Sequence, residues 1–173
     1  MKIRIIEKVN DCFLHRSCDG HLRHRSSDPR LAAARIGSDV GLLLAKLHAA
    51  GSLLNNKALA DFGLRERSFS ILTLACSGLE PTQRELADFL SLDPSQVVTL
   101  VDDLERRGLV ERAQGKQDRR AKIIVSTAEG RKMHTKARGA MDAAELDQLA
   151  VLSGEESQEL KRLLRKALWG AAE

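Results

Sequence analysis

Seven basic side chains fall between residues 106 and 122: Arg106, Arg107, Arg112, Lys116, Arg119, Arg120 and Lys122. Only Glu111 and Asp118 oppose them, so these 17 residues carry +5, against +4 for the whole chain. Cationic groups at that density suit a polyanion, because pairing with phosphates releases condensed counterions. A solvated charged surface has the same composition, so the local structure around the cluster has to decide. A second group, Cys12, His15, Cys18, His21 and His24, repeats zinc-type ligands every third residue. No loop separates ligand pairs as in a zinc finger, and no metal is assigned to it. Catalysis would need a nucleophile, a base and an orienting group together. The chain has no glycine-rich phosphate loop, nucleophile elbow or paired-histidine metal motif. Neither an enzyme nor a cofactor is expected.

The elements that must carry the basic cluster can be read from periodicity and caps. Thr82-Gln83-Arg84-Glu85 is a capping box, followed by Leu86, Ala87 and Leu90 on one side of a short helix. Ser91-Leu92 makes a turn. Asp93 then caps a second helix with Pro94 at its first position, where no amide hydrogen is needed. Val97, Leu100, Val101 and Leu104 share one face and must point inward, so Ser95, Gln96, Thr99 and Asp103 point outward. Gly108 supplies a left-handed stop after Arg106 and Arg107, which complement the helix C-terminus. Asp102 and Asp103 are expected to pair with Arg106 and Arg107 four residues on. Beyond Gly108 the period changes to two. Leu109–Arg112 and Ala121–Val125 read as strands joined by a polar loop.

The order helix, turn, helix, β-hairpin is that of a winged helix-turn-helix. The expected fold is therefore mostly α with a small β-hairpin wing, over residues 63–127, joined to a helical dimerisation region formed by 30–62 and 128–173. Residues 1–29 form an arm, weakly ordered or with a short helix, closed by Ser26-Ser27-Asp28-Pro29. A long helix is expected from Leu31 to about Asn56. Its stripe is Val40, Leu43, Leu44, Leu47, Gly51 and Leu54, and Phe62-Gly63-Leu64 breaks the chain after it. Another helix runs from about Arg65 to Ser77. Thr127 caps a helix reaching Leu149, with a weak point at Gly139. Ser153 starts a last one, striped by Leu160, Leu163, Leu164, Ala167 and Leu168. The terminal helices cannot cover their apolar faces alone, which points to a homodimer.

In such an architecture the second helix fits the DNA major groove. Gln96 can pair with adenine through two hydrogen bonds, and Ser95 and Thr99 can bond to bases or phosphates. Val98 can touch a thymine methyl, and Arg84 can reach a phosphate. The loop Gln114 to Arg120 would lie over the adjacent minor groove, where the negative potential draws Arg and Lys, and Arg112, Lys116, Arg119, Arg120 and Lys122 are the candidate contacts of the hairpin. Local duties compete with these roles: Ser95 can help the helix start, and Gln96 can complete its cap.

Composition agrees. Hydrophobics are 43% and charged residues 30%, a globular balance that is neither disordered nor membrane-spanning. No apolar run approaches the roughly 18–20 residues a bilayer demands, and the first ten residues mix charges with Ile and Val, unlike a signal peptide. With three cysteines, Cys12, Cys18 and Cys76, an odd number, reduced thiols in the cytoplasm are expected.

Pro81 to Ser95, then Leu104-Glu105-Arg106-Arg107-Gly108-Leu109-Val110, Asp118-Arg119-Arg120-Ala121 and Glu129-Gly130, resemble the MarR family of bacterial transcriptional regulators. The likeness covers roughly Val40 to Trp169. It implies a homodimer whose N- and C-terminal helices form the dimer domain and whose winged helices face a pseudo-palindromic double-stranded DNA operator. It implies a repressor released by a small phenolic or lipophilic ligand, held near Leu44, Leu47, His48, Phe62 and Phe69. Asp118 and Arg120 would correspond to wing positions tied to structure and DNA contact. Thr99 and Val98 stand where many members carry Arg and Thr, so the operator sequence does not transfer. Cysteine oxidation is an alternative signal, although no Cys lies between Arg30 and Lys57. A winged helix serving only to bind protein is the other alternative, and it would have no need of four clustered cations in the wing.

Overall fold

A computed structural model describes residues 28–115 and 120–170. The chain divides into two compact units, one ending at Ala45 and one beginning at Lys46. In the first unit a short helix, α1 (Pro29–Ala32), is capped by Asp28, which accepts from Arg30 N. A 3-10 turn follows at Arg35–Ser38, and α2 (Val40–Leu59) begins after Asp39 and continues into the second unit. The single helix expected from Leu31 is thus interrupted before Val40. The physical reason is that residues 29–38 bury no side chain. No packing offsets the poor helix propensity of Gly37 and Ser38.

The second unit carries the remaining elements: α3 (Glu66–Ala75), α4 (Gln83–Leu90), α5 (Pro94–Arg106), β1 (Val110–Gln114), β2 (Lys122–Ser126), α6 (Ala128–Gln148) and α7 (Gly154–Trp169). The winged helix-turn-helix is present as expected. The strands pair antiparallel with Val110 opposite Ser126 and Gln114 opposite Lys122. Each strand starts one residue later than the sequence pattern suggests. Helix α6 runs unbroken through Gly139, because a single exposed glycine costs only about 1 kcal/mol and many flanking bonds remain.

Local chemistry sets the helix starts. Thr82 Oγ1 accepts from Glu85 N at 3.2 Å while Glu85 accepts from Thr82 N at 2.7 Å. This backbone hydrogen bond, with that from the Thr82 hydroxyl, holds the Glu85 carboxyl below its ordinary pKa. Asp93 caps α5 by accepting from Ser95 N at 2.8 Å, and Pro94 occupies the first turn. Ser153 and Glu156 repeat the capping box at α7. Thr82→Ala is expected to lower stability by about 1 kcal/mol. Chemical denaturation checks this, and an unchanged midpoint would mean that the box is dispensable.

The core is one cluster. Leu59, Ile71, Leu72, Leu86, Val97, Val101, Leu104 and Ile124 are fully buried, and Cys76 packs half-buried against it. Packing between α3, α5 and α6 places Phe69 in this core, stacked on His134 with ring centroids 5.5 Å apart. Arg138 lies over the same ring at 5.6 Å. Burial, and then the charge of Arg138, hold the His134 imidazole below the ordinary histidine pKa.

Three long-range joints aim the wing. Pro81 O accepts from Ile124 N at 2.8 Å, so the chain entering α4 is tied to β2. Leu109 O accepts from Thr127 N at 3.1 Å, and Thr127 Oγ1 donates to Gly108 O at 2.6 Å. Gly108 has φ of 67°, the left-handed conformation that ends α5 and turns it into β1.

Candidate nucleic-acid interface

The outer face of α5 follows from its inner one. Val97, Val101 and Leu104 are sealed in the core, which leaves Ser95, Gln96, Val98 and Thr99 exposed along one side. Asp93 accepts from both the amide and the hydroxyl of Ser95, so that hydroxyl also serves the cap. Those bonds, the side-chain one foremost, hold the Asp93 carboxyl below its usual range. Thr99 Oγ1 donates to Ser95 O at 3.0 Å. Gln96 does not complete the cap. Its Oε1 accepts from Arg67 Nη1 of α3 at 3.2 Å. Arg84, at the start of α4, is exposed and 3.9 Å from Asp88.

The basic cluster is divided by its surroundings. Arg112 is only 23% exposed and forms ion pairs with Asp102 and Glu105 of α5. Burial works against its charge, but the Asp102 hydrogen bond and the charges of Glu105 and Asp102 outweigh that and raise its pKa. Arg112, placed among the DNA-contacting residues by sequence, thus anchors the wing to the helix. Asp102 correspondingly pairs with Arg112 and not with Arg106. Arg107 donates to Gly63 O at 2.8 Å and Phe62 O at 3.0 Å, closing the turn before α3, and lies 3.8 Å from Asp103. Arg106 pairs with Asp103 three residues back, at 3.1 Å. Lys122 is exposed at the start of β2, and Arg120 is exposed just before it. Lys116, Asp118 and Arg119 lie outside the described residues, as do Cys12, His15, Cys18, His21 and His24.

Beside α5 there is a cavity of about 680 Å³. Its wall includes His48, Ser52 and Asn56 of α2, the charged run Arg65, Glu66 and Arg67 at the start of α3, and Leu100 of α5. Of the residues expected near a ligand, His48 lines this cavity. Phe62 and Phe69 pack in the core, Leu47 is half-buried with its carbonyl accepting from Gln148 Nε2 at 2.9 Å, and Leu44 belongs to the first unit. Sequence reasoning passed over Arg67, Ser52 and Asn56. The signal for Ser52 and Asn56 was their spacing of four residues on α2, which places both on one face.

These elements, an exposed recognition helix with a tied β-hairpin beside it, define the winged helix-turn-helix class. Residues 64–122 match the MarR family. The YwoH transcriptional regulator of Bacillus subtilis is 30% identical over 113 residues, 65% of this chain and 82% of that protein. CouR from Rhodococcus jostii RHA1, solved bound to p-coumaroyl-CoA, is 37% identical with a TM-score of 0.73, over 82% of this chain and 99% of that one. The Rv2887 protein of Mycobacterium tuberculosis, solved in complex with DNA, is 27% identical with a TM-score of 0.64, over 76% of this chain and 98% of that one. It has also been solved with salicylic acid. The chain belongs to the MarR family of transcriptional regulators.

Proposed function

We propose that this regulator binds double-stranded DNA as a homodimer, acts as a repressor, and is released by a small-molecule effector. The observation that carries the reading is the α5 face: Ser95, Gln96, Val98 and Thr99 stand exposed together because the opposite side of the helix is buried. Arg84, Arg120 and Lys122, with Lys116, Asp118 and Arg119 of the wing, would contact the backbone and minor groove, while Arg112 holds the wing in place. The DNA complex of Rv2887 and the ligand complexes of Rv2887 and CouR support both halves of the reading.

A duplex selected from a randomised pool, followed by footprinting, tests it: two protected half-sites about one helical turn apart are expected. Gln96→Ala should reduce discrimination at one base pair per half-site by about 1–3 kcal/mol. Unchanged preference would remove Gln96 from base reading.

The dimer reading rests on apolar surface. Helix α7 buries no residue, and Leu163, Leu168 and Trp169 are exposed along it. In the first unit Val40, Leu43 and Leu44 are exposed on α2. Apolar faces of that kind are covered by another subunit in helical dimers. Light scattering at micromolar concentration should give a mass near twice the 19.1 kDa of one chain. A monomer would overturn this assignment.

A further inference from the structure

The three polar side chains on the outward side of α5 differ in what holds them. The Ser95 hydroxyl donates to Asp93, and Thr99 Oγ1 donates to Ser95 O at 3.0 Å, both within α5 and its cap. Gln96 is the one tied to another element, its Oε1 accepting from Arg67 Nη1 of α3 at 3.2 Å. Both ends of that bond are set by the core. Ser68 and Phe69, which follow Arg67, are buried, and so is Val97, which follows Gln96. Among the described residues Arg67 forms no ion pair, which leaves its guanidinium to the amide.

The chemistry of the pair fixes which way the amide faces. Arginine donates and cannot accept, so Gln96 must turn its oxygen, and not its nitrogen, to Arg67. An amide with no such partner rotates broadly about its last side-chain torsion. The oxygen has two lone pairs and Arg67 takes one, so the other still accepts. Among the described residues Gln96 Nε2 donates to nothing, so both of its hydrogens are left for a base.

Adenine and guanine both offer N7 as an acceptor in the major groove. They differ at position 6, where adenine donates from N6 and guanine accepts at O6. A freely turning amide can meet either purine with its NH2 group alone, so it separates the two poorly. An amide with an anchored oxygen brings oxygen and nitrogen to the base together. Its oxygen then accepts from adenine N6 and is repelled by guanine O6. We propose that Arg67 is a specificity-determining residue that acts through Gln96: by holding the amide oxygen it makes Gln96 read adenine and reject guanine. Arg67 is a positioning residue in this role and touches no base itself. This inference rests on α5 being the DNA-reading helix.

The first arm of the test uses the full chain and a duplex selected by the parent protein, with variants whose thermal midpoints match the parent. Gln96→Ala locates the base pair that Gln96 reads, and affinities are compared for A·T and G·C there. The parent should favour A·T by about 10-fold or more, and Arg67→Met should bring that ratio down to about twofold. Arg67→Gln should be as low, because a glutamine donates and accepts and so holds either end of the amide. In a Gln96→Ala background Arg67→Met should leave base preference unchanged. A uniform loss of affinity with the ratio intact would make Arg67 a phosphate contact and overturn the proposal. So would an effect on base preference that persists without Gln96, which would make Arg67 itself the reader. A full ratio in Arg67→Gln, or a Gln96→Ala variant with unaltered preference at every base pair, overturns it too.

The second arm measures the hold itself, without DNA. Nitrogen relaxation of the Gln96 side-chain amide should show an ordered NH2 group in the parent and a mobile one in Arg67→Met. Equal mobility in the two overturns the proposal. The two kinds of failure read differently. If the parent selects no duplex, the DNA reading falls and the specificity role falls with it, even where the amide is ordered. If the parent selects a duplex whose A·T to G·C ratio is indifferent to Arg67, the role of Arg67 falls and the DNA reading stands.

Discussion

Replacing Gly130 with alanine should destabilise the protein by about 3 kcal/mol, at the upper end of what overpacking costs. Gly130 is buried in the first turn of α6, where its backbone runs against the end of α5. A Cβ there would stand 1.9 Å from Leu109 O. That oxygen cannot give way easily, because it accepts from Thr127 N at 3.1 Å, and Thr127 Oγ1, which donates to Gly108 O, in turn accepts from Gly130 N at 3.0 Å. Relief requires α6 to lift from the α5–β1 corner and to loosen the cap. Gly139→Ala is the matched control. It lies in the same helix, is exposed, and has no atom within 4 Å of the added carbon. It should be neutral or stabilising by up to about 1 kcal/mol through helix propensity. Urea denaturation reads both as midpoint shifts at constant slope. Equal effects at the two positions would show that the corner is not closely packed.

The second large effect is on duplex affinity, which should drop about 10³-fold between 50 and 200 mM salt. The size follows from which cations are available. Arg107 is occupied by the Phe62 and Gly63 carbonyls and Arg112 by Asp102 and Glu105. Of the cations placed at the duplex we take about three per protomer at phosphate, Arg84 and Lys122 among them, and the rest in the minor groove, which gives about six phosphate contacts in a dimer. Had Arg107 and Arg112 also faced phosphate, about ten contacts would give a loss of about 10⁵ over the same range. A titration of affinity against salt separates the two counts by slope, and a flat response would remove phosphate contact from the account altogether. Lys122→Ala should lower the slope by about one contact per protomer, whereas Arg112→Ala should act by freeing the wing from α5.

The basic cluster shows where sequence reasoning stops. Its seven cations were legible as a charge, and the helix-turn-helix before it as a fold. Yet the two arginines with the most specific partners, Arg107 and Arg112, are used inside the protein. Their ends are met by carbonyls 44 and 45 residues away and by carboxylates 7 and 10 residues away. Arg67 was overlooked for the same reason, since Gln96 lies 29 residues further along the chain.

What the sequence determined by itself is the set of features whose causes lie within a turn or two. Those are the caps at Thr82, Asp93, Thr127 and Ser153, the stop at Gly108, the buried side of α5 and the change to strand period after it. Such features depend on side chains reaching their own backbone two to four residues away, or on one helix repeating its own face, so they survive any choice of tertiary arrangement. The tertiary structure alone decided which charges turn outward, that the first turn of α6 must hold a residue lacking Cβ at Gly130, and that Arg67 of α3 bonds the Gln96 side chain of α5. Each of these is a contact between distant segments. Residue type specifies what such a group needs, and only the packing of the helices selects which neighbour supplies it.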